Sequence, residues 1–182
     1  VPRALDLGHH DDVDAVAGWL GSYGGEDSPD DISRGMFSGE VGTPRLLKLF
    51  DRFGIKTTWF IPGHSIETFP KEMKAVADAG HEIGIHGWIH ELNSVLPFEA
   101  ERELMLRSAD TLEKITGKRA VGLRTPSWDF SPNTLRIEKE LGLDQSIFVQ
   151  YLQWIGGLLR GDLGYSYVSE KPALQEILPR IP

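Results

Sequence analysis

The pattern of apolar and polar positions alternates between two periods. Three short runs, "IKTTWFIPG" (55–63), "HEIGIHG" (81–87) and "AVGLRTP" (120–126), are rich in apolar or β-branched residues and end in Gly or Pro, which predicts strands. "RALDLG" (3–8) is a weaker fourth. Between and after them, residues 43–54, 67–80, 97–117 and 131–142 carry helical spacing and stop signals. In the first of these, Thr43 caps, Pro44 fits the first helical position, and Gly54 ends the helix. Leu46, Leu47, Leu49, Phe50 and Phe53 form its apolar face. The third repeats that grammar, with Pro97 opening, a stripe of Leu104, Leu106, Ala109, Leu112 and Ile115, and Gly117 closing. Strands alternating with helices predict an α/β fold of parallel β/α units.

The alternation breaks in two places. Residues 21–42, "GSYGGEDSPDDISRGMFSGEVG", hold six glycines and a proline with little periodicity, which predicts a long loop of the kind that often carries function. From about Gly142 the pattern changes, with aromatic and aliphatic residues crowded through 147–159 and a Gly156-Gly157 break. The reading is a β/α domain over 1–141 followed by a helical tail over 142–182.

Composition narrows the chemistry. With 182 residues, 40% hydrophobic and 25% charged, the chain can bury one ordinary core. A net charge of −8 argues against a phosphate-backbone binder, so no nucleic-acid partner is expected. There is no cysteine, so any metal must be held by histidine and carboxylate. No apolar run approaches the roughly 20 residues of a bilayer span, and "VPRALDLGHHDD" has no apolar leader core. The expectation is a soluble, cytoplasmic protein without a membrane span.

Candidate chemistry gathers at strand ends. Asp12 and Asp14 follow the first strand, where parallel β/α folds collect their active sites, and in extended backbone both carboxylates face one way. One then binds a metal and the other takes a proton; the spacing alone leaves a solvated acidic loop equally open. His86 and His90 are four apart, so a helical turn after the strand brings them together as zinc ligands. Packed or exposed histidines are the plainer alternative. His81, at the far end of that strand, reads as structural, as does His64. Arg124, Trp128 and Asp129 in "LRTPSWDFSP" place a guanidinium able to orient a carboxylate beside a possible pocket wall.

At these residues the chain resembles the polysaccharide deacetylase family, also called NodB-homology carbohydrate esterases, in the branch with peptidoglycan deacetylase-like and cyclic imidase or allantoinase-like proteins. The likeness runs through "DVDAV" to "HSIETFP", then "AGHEIGIHGWIHE", then "RTPSWDFSP", over about residues 9–141. It implies a distorted (β/α) barrel, usually of seven strands, here incomplete at its C-terminal end. It implies Zn2+ or another divalent metal on Asp14, His86 and His90, with Asp12 as general base and Arg124 tuning it. Trp128 and Asp129 are the expected substrate-binding residues. The implied reaction is hydrolysis of a C–N amide bond, in an amino-sugar polymer such as peptidoglycan or in a small cyclic amide. A non-catalytic metal- or carbohydrate-binding role stays open.

Two departures accompany the likeness. "HHDD" (9–12) stands where the family has a Thr-Phe-Asp type entry, so an irregular first strand is expected. No histidine follows His90, whereas the family's later Leu-x-His motif supplies a general acid, so impaired turnover is expected. Residues 141–182, through "RGDLGYSYV" and "ILPRIP", resemble instead a segment of dipeptide/oligopeptide ABC transporter permeases. An incomplete parallel sheet leaves an unpaired edge, which predicts a homo-oligomer.

Overall fold

A computed structural model describes residues 6–143 and, beyond them, only 152, 155–156, 165–166 and 171–172. The elements run β1 (Asp6–Asp12), α1 (Val16–Leu20), α2 (Pro29–Phe37), a π-helical turn (Ser38–Gly42), α3 (Thr43–Phe53), β2 (Lys56–Ile61), α4 (Gly63–Thr68), α5 (Pro70–Asp78), β3 (Glu82–Ile85), α6 (Phe98–Thr116) and α7 (Thr134–Glu140). The chain divides into two compact units, Val1–Leu143 and Asp144–Pro182. In the second, Tyr165–Ser166 and Lys171–Pro172 pair antiparallel. Most residues of the expected helical tail lie outside the described residues.

The first unit is built on a parallel sheet ordered β1-β2-β3. Trp59 and Ile61 of β2 and Ile83 and Ile85 of β3 are buried against Ile66, Met73, Val76, Met105, Leu112 and Ile137, contributed by α4 to α7. Burial of each such side chain is worth about 1.5–3 kcal/mol, so this layer fixes where the strand ends sit. The register of β1 on β2 shifts between Asp6 and His10, after which His10, Asp11 and Asp12 pair with Thr58, Trp59 and Phe60. That irregularity matches the departure at "HHDD", and such shifts re-aim side chains next to sites.

Three expectations change. The strand expected over 120–126 is reduced to a single bridge, Ile85 with Leu123. The amide of Ile85 donates to the carbonyl of Gly122 and that of Arg124 to Ile85, but it is Val121, one residue early, that donates to Ile83. This one-residue slip ends the ladder. The described residues therefore form an open sheet rather than a closed barrel.

The 21–42 loop is the second. Residues 29–42 are helical, because Ser28 caps α2 by accepting the Asp31 N–H, Pro29 takes the first position, and Asp30 and Asp31 lie in the first turn. Gly35 is a packing glycine there: a Cβ would meet the Val16 Cα at 2.7 Å. Third, the helix expected over 67–80 is two, α4 and α5, joined at Phe69, with Pro70 opening the second. Among the described residues, no helix is long and apolar enough to cross a membrane.

Candidate metal centre

The strand ends deliver the candidate ligands. Asp14 stands two residues past β1 and His86 one past β3, and His90 returns to them through a tight loop. That loop is not helical: Gly87 and His90 adopt left-handed backbone, φ 68° and 66°. The Glu91 carboxylate accepts the Trp88 and Ile89 N–H groups at 2.9 and 3.0 Å, and Ser108 Oγ donates to the Gly87 carbonyl at 2.7 Å. Both histidines are buried, with ring centroids 5.0 Å apart.

One ligand atom from each of Asp14, His86 and His90 lies within 4.8 Å of the others. His86 Nε2 faces Asp14 Oδ1 at 3.5 Å and His90 Nε2 faces Asp14 Oδ2 at 3.6 Å. His86 Nδ1 is 2.7 Å from the Arg124 carbonyl, which can only accept, so Nδ1 carries a proton and the neutral form of the ring presents its Nε2 lone pair to Asp14. Asp14 Oδ1 is buried without a hydrogen-bond partner. A bare imidazole nitrogen facing an unsatisfied carboxylate oxygen fits a cation between them, with the two-His, one-carboxylate donor set of a zinc site. Burial lowers the His90 pKa despite the Asp14 charge, favouring the neutral, ligating ring.

Around this trio lies a cleft of about 250 Å³, lined also by Asp12, Tyr23, Arg124, Thr125, Ser127 and Trp128. Arg124 Nη1 donates to Asp12 Oδ1 at 2.7 Å while its guanidinium lies 4.6 Å from the Phe60 ring centroid. A single guanidinium donor makes this ion pair. Trp128 stands at the rim, 84% exposed. Asp129 is not among the lining residues; its Oδ2 accepts the Ser94 N–H at 2.6 Å. Ala15, His90, Ser127 and Trp128 are the non-glycine residues with positive φ among the described residues, and all lie in the cleft or next to Asp14. Strain of this kind collects at functional sites.

His81 is buried immediately before β3, at the opposite end of that strand from His86, its Nδ1 accepting the Thr57 N–H at 3.2 Å and its ring packed against those of Phe50 and Trp59. His64 opens α4, where its N–H donates to the Trp88 carbonyl and its Nδ1 lies 3.3 Å from Thr68 Oγ1. Sequence reasoning missed Tyr23, whose hydroxyl donates to Asp14 Oδ2 at 2.9 Å, and Ser22, whose Oγ is 2.6 Å from His90 Nδ1. Nothing in the spacing of "GSYGG" marks them. Burial first, then the Asp14 charge, pushes the Tyr23 pKa up to about 12, so the phenol stays a donor.

The polysaccharide deacetylase family profile matches residues 29–146. The chain belongs to this family. A peptidoglycan deacetylase of Helicobacter pylori is 53% identical over 138 residues, 75% of this chain and 47% of that protein. The chain thus spans just under half the length of that deacetylase. A Mycobacterium smegmatis crystal structure assigned as a polysaccharide deacetylase superposes with a TM-score of 0.69 at 32% identity, covering 74% of this chain and 47% of that one. A Brucella abortus sequence assigned as a peptide transport permease is 47% identical over 53 residues, 29% of this chain and 17% of that protein. The permease likeness covers only a short stretch of the chain.

Proposed function

We propose that this chain carries the metal-dependent half of an N-deacetylase acting on an amino-sugar polymer such as peptidoglycan, with its open sheet part of the family's distorted barrel. The observation that carries this reading is the unsatisfied Asp14 Oδ1 facing the bare Nε2 of His86, with His90 completing the set. Asp14, His86 and His90 hold the cation, zinc being the first candidate for such donors. A divalent cation in such a site supplies Lewis acidity, making water a nucleophile near neutral pH and polarising the amide carbonyl.

The chain's own groups do the rest. Asp12, held through Oδ1 by Arg124, accepts a proton from the attacking water. The new C–O bond forms as the amide C–N bond breaks, releasing acetate, and the proton passes from Asp12 to the leaving amine. Tyr23 keeps Asp14 oriented during this step. Trp128 offers an exposed ring on which a sugar face can stack at the cleft rim. Membership of the deacetylase family and the likeness to the Helicobacter pylori enzyme support the polymer as substrate.

Acetate release from peptidoglycan and from chitooligosaccharides, beside ring opening of a cyclic imide, tests this assignment. Slow, zinc-dependent acetate release that falls about 10²- to 10⁴-fold in Asp12→Asn is the expected result. Ring opening alone would reassign the chemistry to cyclic amides, and zinc binding without hydrolysis would leave a binding protein.

A further inference from the structure

Residues 21–23 grip two of the three candidate ligands. Besides the Ser22 Oγ to His90 Nδ1 contact at 2.6 Å, the Ser22 N–H donates to the His90 carbonyl at 3.2 Å. The Tyr23 ring lies 4.6 Å from the His90 ring, and its hydroxyl, on Asp14 Oδ2, is also 3.4 Å from His90 Nε2. Gly21 permits this approach: a Cβ there would stand 1.8 Å from the Ile89 carbonyl oxygen and 2.9 Å from that of His90. His90 meanwhile holds a left-handed backbone, φ 66°, which a non-glycine residue keeps only where its surroundings over-determine it.

The two histidines differ in what fixes them. His86 Nδ1 meets a carbonyl, which accepts only, so its tautomer is set by the backbone. His90 Nδ1 meets a hydroxyl, which can donate or accept. With Nε2 aimed at Asp14, ligation requires the proton on Nδ1 and Ser22 as its acceptor.

We propose that Ser22 is a positioning residue of the metal site, accepting the His90 Nδ1–H so that Nε2 is bare and aimed at the cation, while Tyr23 holds Asp14 Oδ2. The segment after α1 is thereby a clamp supplied from outside the loop that carries both histidines and the turn that carries Asp14. This inference rests on the metal reading above, and the two fail differently.

The test uses the full chain, stripped of metal, as wild type, Ser22→Ala, Ser22→Thr and Tyr23→Phe. Zinc dissociation constants come from competition with a chromophoric chelator, and the His90 tautomer comes from side-chain 15N shifts of the metal-free protein. Wild type is expected to show His90 protonated on Nδ1. Ser22→Ala is expected to lose that preference and bind zinc about 10- to 100-fold more weakly. Ser22→Thr, which keeps the hydroxyl, is expected to restore both, and Tyr23→Phe to weaken zinc binding without changing the His90 tautomer. Ser22→Ala that binds zinc as tightly as wild type overturns the positioning role alone, whereas a wild type that takes up no zinc overturns the metal reading beneath it. If Ser22→Ala melts below the assay temperature, the wild-type spectrum decides, since His90 protonated on Nε2 overturns the inference.

Discussion

Arg124 Nη1 and Asp12 Oδ1 meet at 2.7 Å, tying the segment that bridges β3 to the end of β1. The same arginine lends its backbone carbonyl to His86 Nδ1, so its side chain holds the proposed base and its main chain a proposed metal ligand. Substitution of the side chain separates the two roles. Asp12→Asn and Arg124→Gln are expected to keep zinc affinity, because the ligands and the carbonyl remain. Asp12→Asn is expected to lower kcat about 10²- to 10⁴-fold, as loss of a general base does, with a smaller loss in Arg124→Gln. Parallel zinc titrations and acetate assays check this, and loss of zinc binding in Asp12→Asn would contradict the division.

Gly21 has no room for a side chain against the Ile89 carbonyl. Gly21→Ala must push the 88–90 loop away, at a cost of about 1–3 kcal/mol for overpacking. Both the melting temperature and zinc affinity are expected to fall, and a variant with a lower melting temperature but unchanged zinc affinity would show that the loop yields without moving His90.

Burial, then the charge of Lys56, holds the His81 pKa below its ordinary 6.5, outweighing Asp11. The unfolded chain therefore binds more protons than the folded one between the two values. The stability that His81 contributes is full above 6.5 and is lost as pH falls from there through the folded value. Urea unfolding at about pH 7.5 and about pH 5.5 is expected to show a larger loss of stability in wild type than in His81→Asn, whose amide oxygen can still accept the Thr57 N–H. Burial lowers His64 and His90 in the same direction, so the difference between the two proteins is the readout.

Trp128 is exposed and touches little, so Trp128→Ala is expected to change stability by no more than about 0.5 kcal/mol. A polymer substrate that stacks on it would show a raised KM in that variant, and a small cyclic amide would not. Equal KM values for the polymer in both proteins would remove Trp128 from the binding surface.

Much of the fold was legible where local signals agree with the core. Gly54 ends α3 as its residue type suggests, and the apolar runs at 55–63 and 81–87 contain β2 and β3. Thr43 does not cap α3 as expected: Gly42 and Thr43 are already helical, continuing the turn Ser38–Gly42, and the Thr43 hydroxyl donates to the Ser38 carbonyl. Legibility failed where tertiary contact decides. The glycines of 21–42 suggested a loop, but Gly35 and Gly39 are packing positions inside helical turns, their missing Cβ atoms replaced by Val16 and the Phe69 ring. The strand at 120–126 was lost to a one-residue slip that no periodicity announces. At the site, Asp14, His86 and His90 do converge, yet through a left-handed turn at His90 in place of a helical one. Ser22 and Tyr23 were invisible because a hydroxyl next to glycines acquires meaning only from what it faces.

Asp14, His86 and His90 are proposed to bind one divalent cation. Calorimetric titration of zinc into the metal-stripped full chain, beside His86→Ala, tests it most directly. One zinc per chain in wild type, with a rise in melting temperature that a chelator reverses, and no specific uptake in His86→Ala, is the predicted result. A folded wild type that takes up no zinc or other divalent metal would contradict it.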